Sequence, residues 1–144
     1  IYIMILQVVD DKTNLNQEEL KEKIVAEFEE LNDVVNAAYD EVILSHSLDS
    51  VLFDKRSEYL VSSMKKLKHG GEIKITGVDL EELHRRFDIK EINRAEYNNT
   101  VFGHGRKSLV SVFDILDVLN SQNLEIVSKT YPQPGIYYVC ARRP

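Results

Sequence analysis

The sequence predicts an α/β chain: a mostly parallel sheet of about five strands, helices on both faces, and an antiparallel hairpin at the C-terminus. Three observations predict it. Apolar, β-branched runs alternate with amphipathic segments along the chain, which is the pattern of strand–helix units. The last two such runs are separated by Pro132-Gln133-Pro134-Gly135, a turn too short for a crossover, so those two strands are antiparallel. A length of 144 residues, 43% of them hydrophobic, suits one core and one domain over 1–144.

Each element has its own signal. Ile1–Val9 is apolar and β-branched up to Asp10-Asp11 and reads as a buried strand. Asn14-Leu15-Asn16 offers a helix start, and from Gln17 to about Leu31 the apolar residues Leu20, Ile24, Val25, Phe28 and Leu31 share one helical face. Tyr39–Ser45 is the next strand, centred on Val42-Ile43-Leu44. A helix from about Lys55 to Leu67 follows, with Tyr59, Leu60, Met64 and Leu67 inward and Lys65, Lys66 and Lys68 at its dipole-negative end. His69-Gly70-Gly71 ends it, with His69 as a C-terminal cap. Glu72–Thr76 alternates as a strand, and Gly77-Val78-Asp79 opens a short helix through Phe87. The polar stretch Ile89–Lys107 reads as a helix running into a loop at Gly103-His104-Gly105. Ser111–Asn120 is a helix, and Leu124–Thr130 and Ile136–Arg142 form the hairpin.

Charge and cysteine content exclude several classes. Residues 1–70 carry 14 acids and 8 bases, while residues 71–144 carry 10 of each, so the acidic first half argues against a nucleic-acid partner. The one cysteine, Cys140, sits in a strand pattern and reads as a small buried apolar residue. Absence of disulfides fits a reducing, cytoplasmic or intracellular compartment. No apolar run approaches the roughly 20 residues that span a bilayer, so no membrane partner is expected. The histidines show no metal-ligand spacing, and the expectation for metal is none.

One passage carries a family signal: Tyr39-Asp40-Glu41-Val42-Ile43-Leu44-Ser45-His46-Ser47-Leu48. It resembles the fourth strand of class I S-adenosylmethionine-dependent methyltransferases. Leu67-Lys68-His69-Gly70-Gly71 is similar to the turn before that family's fifth strand, which Glu72–Thr76 matches. Phe102-Gly103-His104 resembles the loop before the last helix, and Tyr137–Arg143 resembles the seventh strand. The resemblance covers about residues 39–143. It implies a shortened Rossmann-like methyltransferase fold, with residues 1–38 as an atypical N-terminal strand and helix. The chain departs from the family at the glycine-rich cofactor turn. Its six glycines all lie at Gly70 or later, so the close backbone approach that such a turn permits is missing.

Candidate site residues follow. His46 stands at the carboxyl end of a strand, where open α/β sheets bind ligands, and could act as a general base near neutral pH. His104 lies between two glycines on the loop, with Arg106 and Lys107 nearby as a basis for an anionic substrate. Ser45 and Asp10, each at a strand end, are the candidates for holding the cofactor. Asp49 and Asp54 could hold a substrate hydroxyl or amine, or cap helices. His84, beside Arg85-Arg86, reads as part of a solvated helix face.

Two functions remain open. The resemblance implies an enzyme that transfers a methyl group from S-adenosylmethionine to a small or sugar-like acceptor. The missing glycine turn suits instead a non-catalytic binding or structural module without a cofactor, for example an assembly or viral component. A homo-oligomer or a partner protein is expected in either case, because Ile1–Val9 would be an unprotected apolar edge strand.

Overall fold

A computed structural model describes residues 3–11 and 23–144. Among them the chain forms β1 (Ile5–Val9), β2 (Ile24–Glu27), a 3₁₀ turn (Phe28–Asp33), β3 (Tyr39–Ser45), two short 3₁₀ turns (Leu48–Ser50 and Phe53–Lys55) and α1 (Arg56–Met64). β4 (Leu67–Val78), α2 (Leu80–Asp88), α3 (Arg94–Phe102), α4 (Val112–Ser121), β5 (Glu125–Gln133) and β6 (Ile136–Arg142) complete it. The sheet has six strands in the order β2-β1-β3-β4-β6-β5. β2, β1, β3 and β4 run parallel, and β6 and β5 join antiparallel, as the short turn requires.

Pairing register sets what each face carries. Leu6, Val42, Ile73 and Ala141 lie side by side across the sheet, and Leu44, Ile75 and Val139 form the next row. All seven are fully buried on one face, under Leu60 and Met64 of α1 and Ile115 and Leu119 of α4. The opposite row of Gln7, Ile43, Lys74 and Cys140 is mixed in character. That face carries the ion pairs Lys74–Glu41, at 3.2 Å, and Arg142–Glu72, at 2.9 Å. At the carboxyl end of β4, Val78 joins Leu83 and Ile92 in a second, smaller core beneath α2 and α3.

Several expectations need correction. The sheet has six strands, not five, because Ile24–Glu27 is a strand inside the segment expected to be a helix. The part of that expected helix before residue 23 lies outside the described residues. Ile24 and Val25 are β-branched and pair with β1, while Phe28 and Leu31 are buried by a 3₁₀ turn, whose period of three suits their spacing. β1 is therefore an interior strand between β2 and β3, so Ile1–Val9 is not the edge strand on which self-association was expected; β2 holds that edge. β4 begins at Leu67, so His69-Gly70-Gly71 is strand and not a helix stop. His69 caps no helix; its Nδ1 lies 2.7 Å from the carbonyl oxygen of Pro144.

Two buried polar groups organise the sheet's far side. Asp79 precedes α2 and is fully buried. Its carboxylate accepts from the Val112 amide at 3.1 Å, opening α4, and from the Tyr131 hydroxyl at 2.9 Å, on β5. Burial raises its pKa above 3.8, and neighbouring Glu81 adds to that, while the two hydrogen bonds oppose it. Tyr137, on β6, is also fully buried, and its hydroxyl finds no partner among the described residues. It lies across Gly77, where an added Cβ would come within 2.8 Å of that hydroxyl oxygen.

Gly77→Ala is expected to cost about 1–3 kcal/mol by overpacking. Tyr137→Phe should be neutral or slightly stabilising, since it removes an unpaired buried hydroxyl, and it should recover part of the Gly77→Ala loss. Urea unfolding of the two single variants and the double variant checks this. Asp79 gives a pH test. The folded chain holds its proton more tightly than the unfolded one, so stability falls as pH rises from about 3.8 through the raised folded value. Wild type should therefore lose stability relative to Asp79→Asn across that window, with the difference constant above it.

Candidate functional site

The strand order creates the site. The chain passes from β1 to β2 on one side and from β3 to β4 on the other. The direction of winding thus reverses between β1 and β3, and the two chains diverge beyond their carboxyl ends. A cleft of about 290 Å³ opens there, lined by Gln7, Val9, Asp10 and Asp11 after β1 and by Ser45, His46, Ser47 and Ser50 after β3. His104 and Gly105, from the loop after α3, close its third side. The two histidines and the two cofactor candidates, His46, His104, Ser45 and Asp10, therefore meet in one cleft, although they span 95 positions of the sequence.

Backbone geometry fixes His46. Its amide donates to the Thr76 carbonyl at 2.9 Å, which prolongs the β3–β4 pairing by one residue. The backbone then turns through a φ of +52°. Left-handed conformation in a residue with a Cβ costs about 1–3 kcal/mol and persists where the surroundings enforce it. Here Ser47 Oγ donates to the Val8 carbonyl at 2.7 Å, tying the turn to β1, and Ser50 Oγ donates to the His46 carbonyl at 3.0 Å.

A second cleft, of about 260 Å³, continues from the first and is lined by His46, Asp49, Ser50, His104 and Arg106. Asp49 is its most buried member, at 2% exposure. Asp49 Oδ2 lies 3.2 Å from Arg106 Nε and 3.8 Å from His46 Nδ1, while Oδ1 has no partner among the described residues. The Asp49 carbonyl accepts from the amides of Lys107 and Ser108 at 2.8 and 3.2 Å. One residue thus holds the loop after α3 with both its main chain and its side chain. Gly103 permits that path, because a Cβ there would fall 2.2 Å from the Asn99 carbonyl oxygen.

Placement revises several residue roles. Arg106 is not a free anion site: its guanidinium pairs with Asp49 and donates to the carbonyls of Thr100 and Gly103 at 2.6 and 3.3 Å. Asp54 lies on the 3₁₀ turn before α1 and lines neither cleft, and His84 is exposed on α2. Gln7 was invisible as a site residue. It is 7% exposed, lines the cleft, and its Oε1 has no partner among the described residues. A polar residue inside the apolar run Ile1–Val9 was the available signal. Among the described residues no group of three or more His, Cys, Asp or Glu could hold a metal ion, and no helix is long and apolar enough to cross a membrane.

No protein-family model matches the sequence, and no curated protein does. Solved structures do match in shape. A SAM-dependent methyltransferase from Archaeoglobus fulgidus superposes with a TM-score of 0.64 at 12% identity, over 98% of this chain and 86% of that one. A SAM-dependent methyltransferase from Thermotoga maritima, described as a possible histamine N-methyltransferase, gives 0.67 at 13%, over 98% and 82%. The 1,6-didemethyltoxoflavin-N1-methyltransferase of Burkholderia thailandensis, solved with S-adenosylhomocysteine, gives 0.61 at 11%, over 98% and 71%. The chain has a class I methyltransferase-like, Rossmann-like fold with a mixed sheet.

The Asp49–Arg106 pair is buried, so removing one partner should be costly. Asp49→Ala is expected to lose about 3 kcal/mol of stability and to speed hydrogen exchange at the Lys107 and Ser108 amides. Urea unfolding and exchange mass spectrometry read the two effects.

Proposed function

We propose that this chain transfers a methyl group from S-adenosylmethionine to a small-molecule acceptor, with His46 taking the acceptor's proton. The observation that carries the reading is the meeting of Asp10, Ser45, His46 and His104 at the reversal of strand winding, within a methyltransferase-like fold. The donor supplies a methyl group on a positively charged sulfur, which needs no acid catalysis to leave. What the protein must add is position and a base.

The two clefts divide those tasks. Asp10, Ser45 and Gln7 line the part between β1 and β3 and would hold the donor there. Gln7 Oε1, unpartnered among the described residues, supports that fit, since it offers a buried acceptor to a donor's amino or hydroxyl group. The approach is less close than a glycine turn allows, because Val9, Asp10 and Asp11 all carry Cβ atoms. His46, His104 and Ser50 border both clefts and face the acceptor side, with Asp49 beyond. A hydroxyl-bearing or amine-bearing acceptor, including a sugar-like one, suits that lining, because each offers a proton to an imidazole.

Titration of the labelled chain with S-adenosylmethionine, followed by amide NMR, tests the donor site. Saturable shifts at Gln7, Asp10, Ser45 and His46 are expected, with a Kd weaker than about 1 μM, hence a binding free energy smaller than about 8 kcal/mol. Absence of shifts at millimolar donor would overturn the reading, and sub-micromolar binding would overturn the argument from the missing glycines.

A further inference from the structure

We infer that Asp49 is a positioning residue that selects the ring tautomer of His46, keeping Nε2 bare to accept a proton. The inference rests on the reading of His46 as the base. A neutral imidazole has one protonated and one bare nitrogen, and the partner of one nitrogen decides which is which. Nδ1 of His46 is the nitrogen that faces Asp49, at 3.8 Å from Oδ2. That distance exceeds a hydrogen bond but lies within reach of a small ring rotation. A proton on Nδ1 is attracted by the carboxylate, whereas a bare Nδ1 would set a lone pair against it. Nε2 is then the nitrogen that presents its lone pair.

Asp49 has unusual need of a second cation. It is 2% exposed, and among the described residues its one close charged partner is Arg106, through a single contact at 3.2 Å. Arg106 is itself divided, since its Nη1 goes to the carbonyls of Thr100 and Gly103. Oδ1 therefore remains unpartnered among the described residues, and a buried carboxylate in that state is costly. When His46 takes a proton from the acceptor, the O–H or N–H electron pair stays with the acceptor, and the ring gains a positive charge beside Asp49. The same carboxylate thus orients the neutral ring and stabilises the charged one. The other ionisable groups lining this cleft are Arg106 and His104, both on the loop after α3. Asp49 also anchors that loop, so orientation of the base and closure of the cleft depend on one side chain.

Long-range ¹H–¹⁵N NMR of the His46 ring, on the free chain above the pH of ring titration, tests this without any ligand. Wild type should show the Nδ1–H form as the major tautomer. Asp49→Asn should return the ring toward the Nε2–H form that free histidine prefers. Arg106→Gln, which frees Oδ2 from its competitor, should increase the Nδ1–H fraction, and it carries the test should Asp49→Asn fail to fold. An identical tautomer ratio in wild type and the folded variants would overturn the inference. Donor binding is not needed for this measurement, so its failure leaves the methyl-transfer reading standing. A failed donor titration likewise leaves the tautomer result intact.

Discussion

The parallel pairing of β1 with β3 is the constraint on which the rest of the structure depends. Its register sets Leu6 beside Val42 and so continues the buried row that runs to Ile73 and Ala141. A slip of one residue would bring Gln7 into that row and turn Leu6 and Val8 outward. The same pairing puts Val8 within reach of Ser47, whose hydroxyl closes the turn after β3 onto the carbonyl of β1. Core packing and cleft geometry are therefore set by one ladder. Because β1 continues outward and β3 inward, the ladder also marks where the sheet must part at its carboxyl end.

Polar burial follows from that parting. Leu44 and Leu48 stay in the apolar core, while the turn after β3 and the loop after α3 are joined by polar contacts. Asp49 makes them, its carbonyl accepting from two loop amides and its carboxylate pairing with one guanidinium. Asp79 does the equivalent at the end of β4, joining α2, α4 and β5. The chain carries an acid of this kind at the end of each central parallel strand. One opens on a cleft, and the other is enclosed by Val112 and Tyr131. Position relative to the winding reversal, and not the residue type, decides which of the two acids lines a cleft.

What was legible in the sequence reflects which signals are local. Tyr39–Ser45 and Ile136–Arg142 could be read to the residue, because β-branched runs bounded by polar or turn residues admit one interpretation. Ile24–Glu27 could not. Four residues spaced 24, 25, 28 and 31 fit a helical face as well as they fit a strand followed by a 3₁₀ turn, and only pairing with β1 decides between them. β4 was read five residues short at its start because Gly70-Gly71 looks like a stop. Gly70 is in fact a positive-φ position within the strand, at +80°. Of the site, His46 and His104 could be named from strand-end and glycine context. Their convergence could not, because it depends on the Asp49–Arg106 pair across 57 positions.

Backbone conformation distinguishes the two histidines. Five non-glycine residues among those described have positive φ: Ala37, His46, Lys90, His104 and Asn123. Lys90, His104 and Asn123 follow the C-terminal ends of α2, α3 and α4, where one left-handed residue is the ordinary way to end a helix. Ala37 lies in a turn before β3. His46 alone of the five directly follows a strand. No helix end requires its conformation, and two serine hydroxyls are spent holding the surrounding turn. A residue with less side-chain bulk would turn the chain there at lower cost. The strained backbone at His46 is held by contacts from β1 and from the turn itself, and it sets the imidazole at the border of the two clefts.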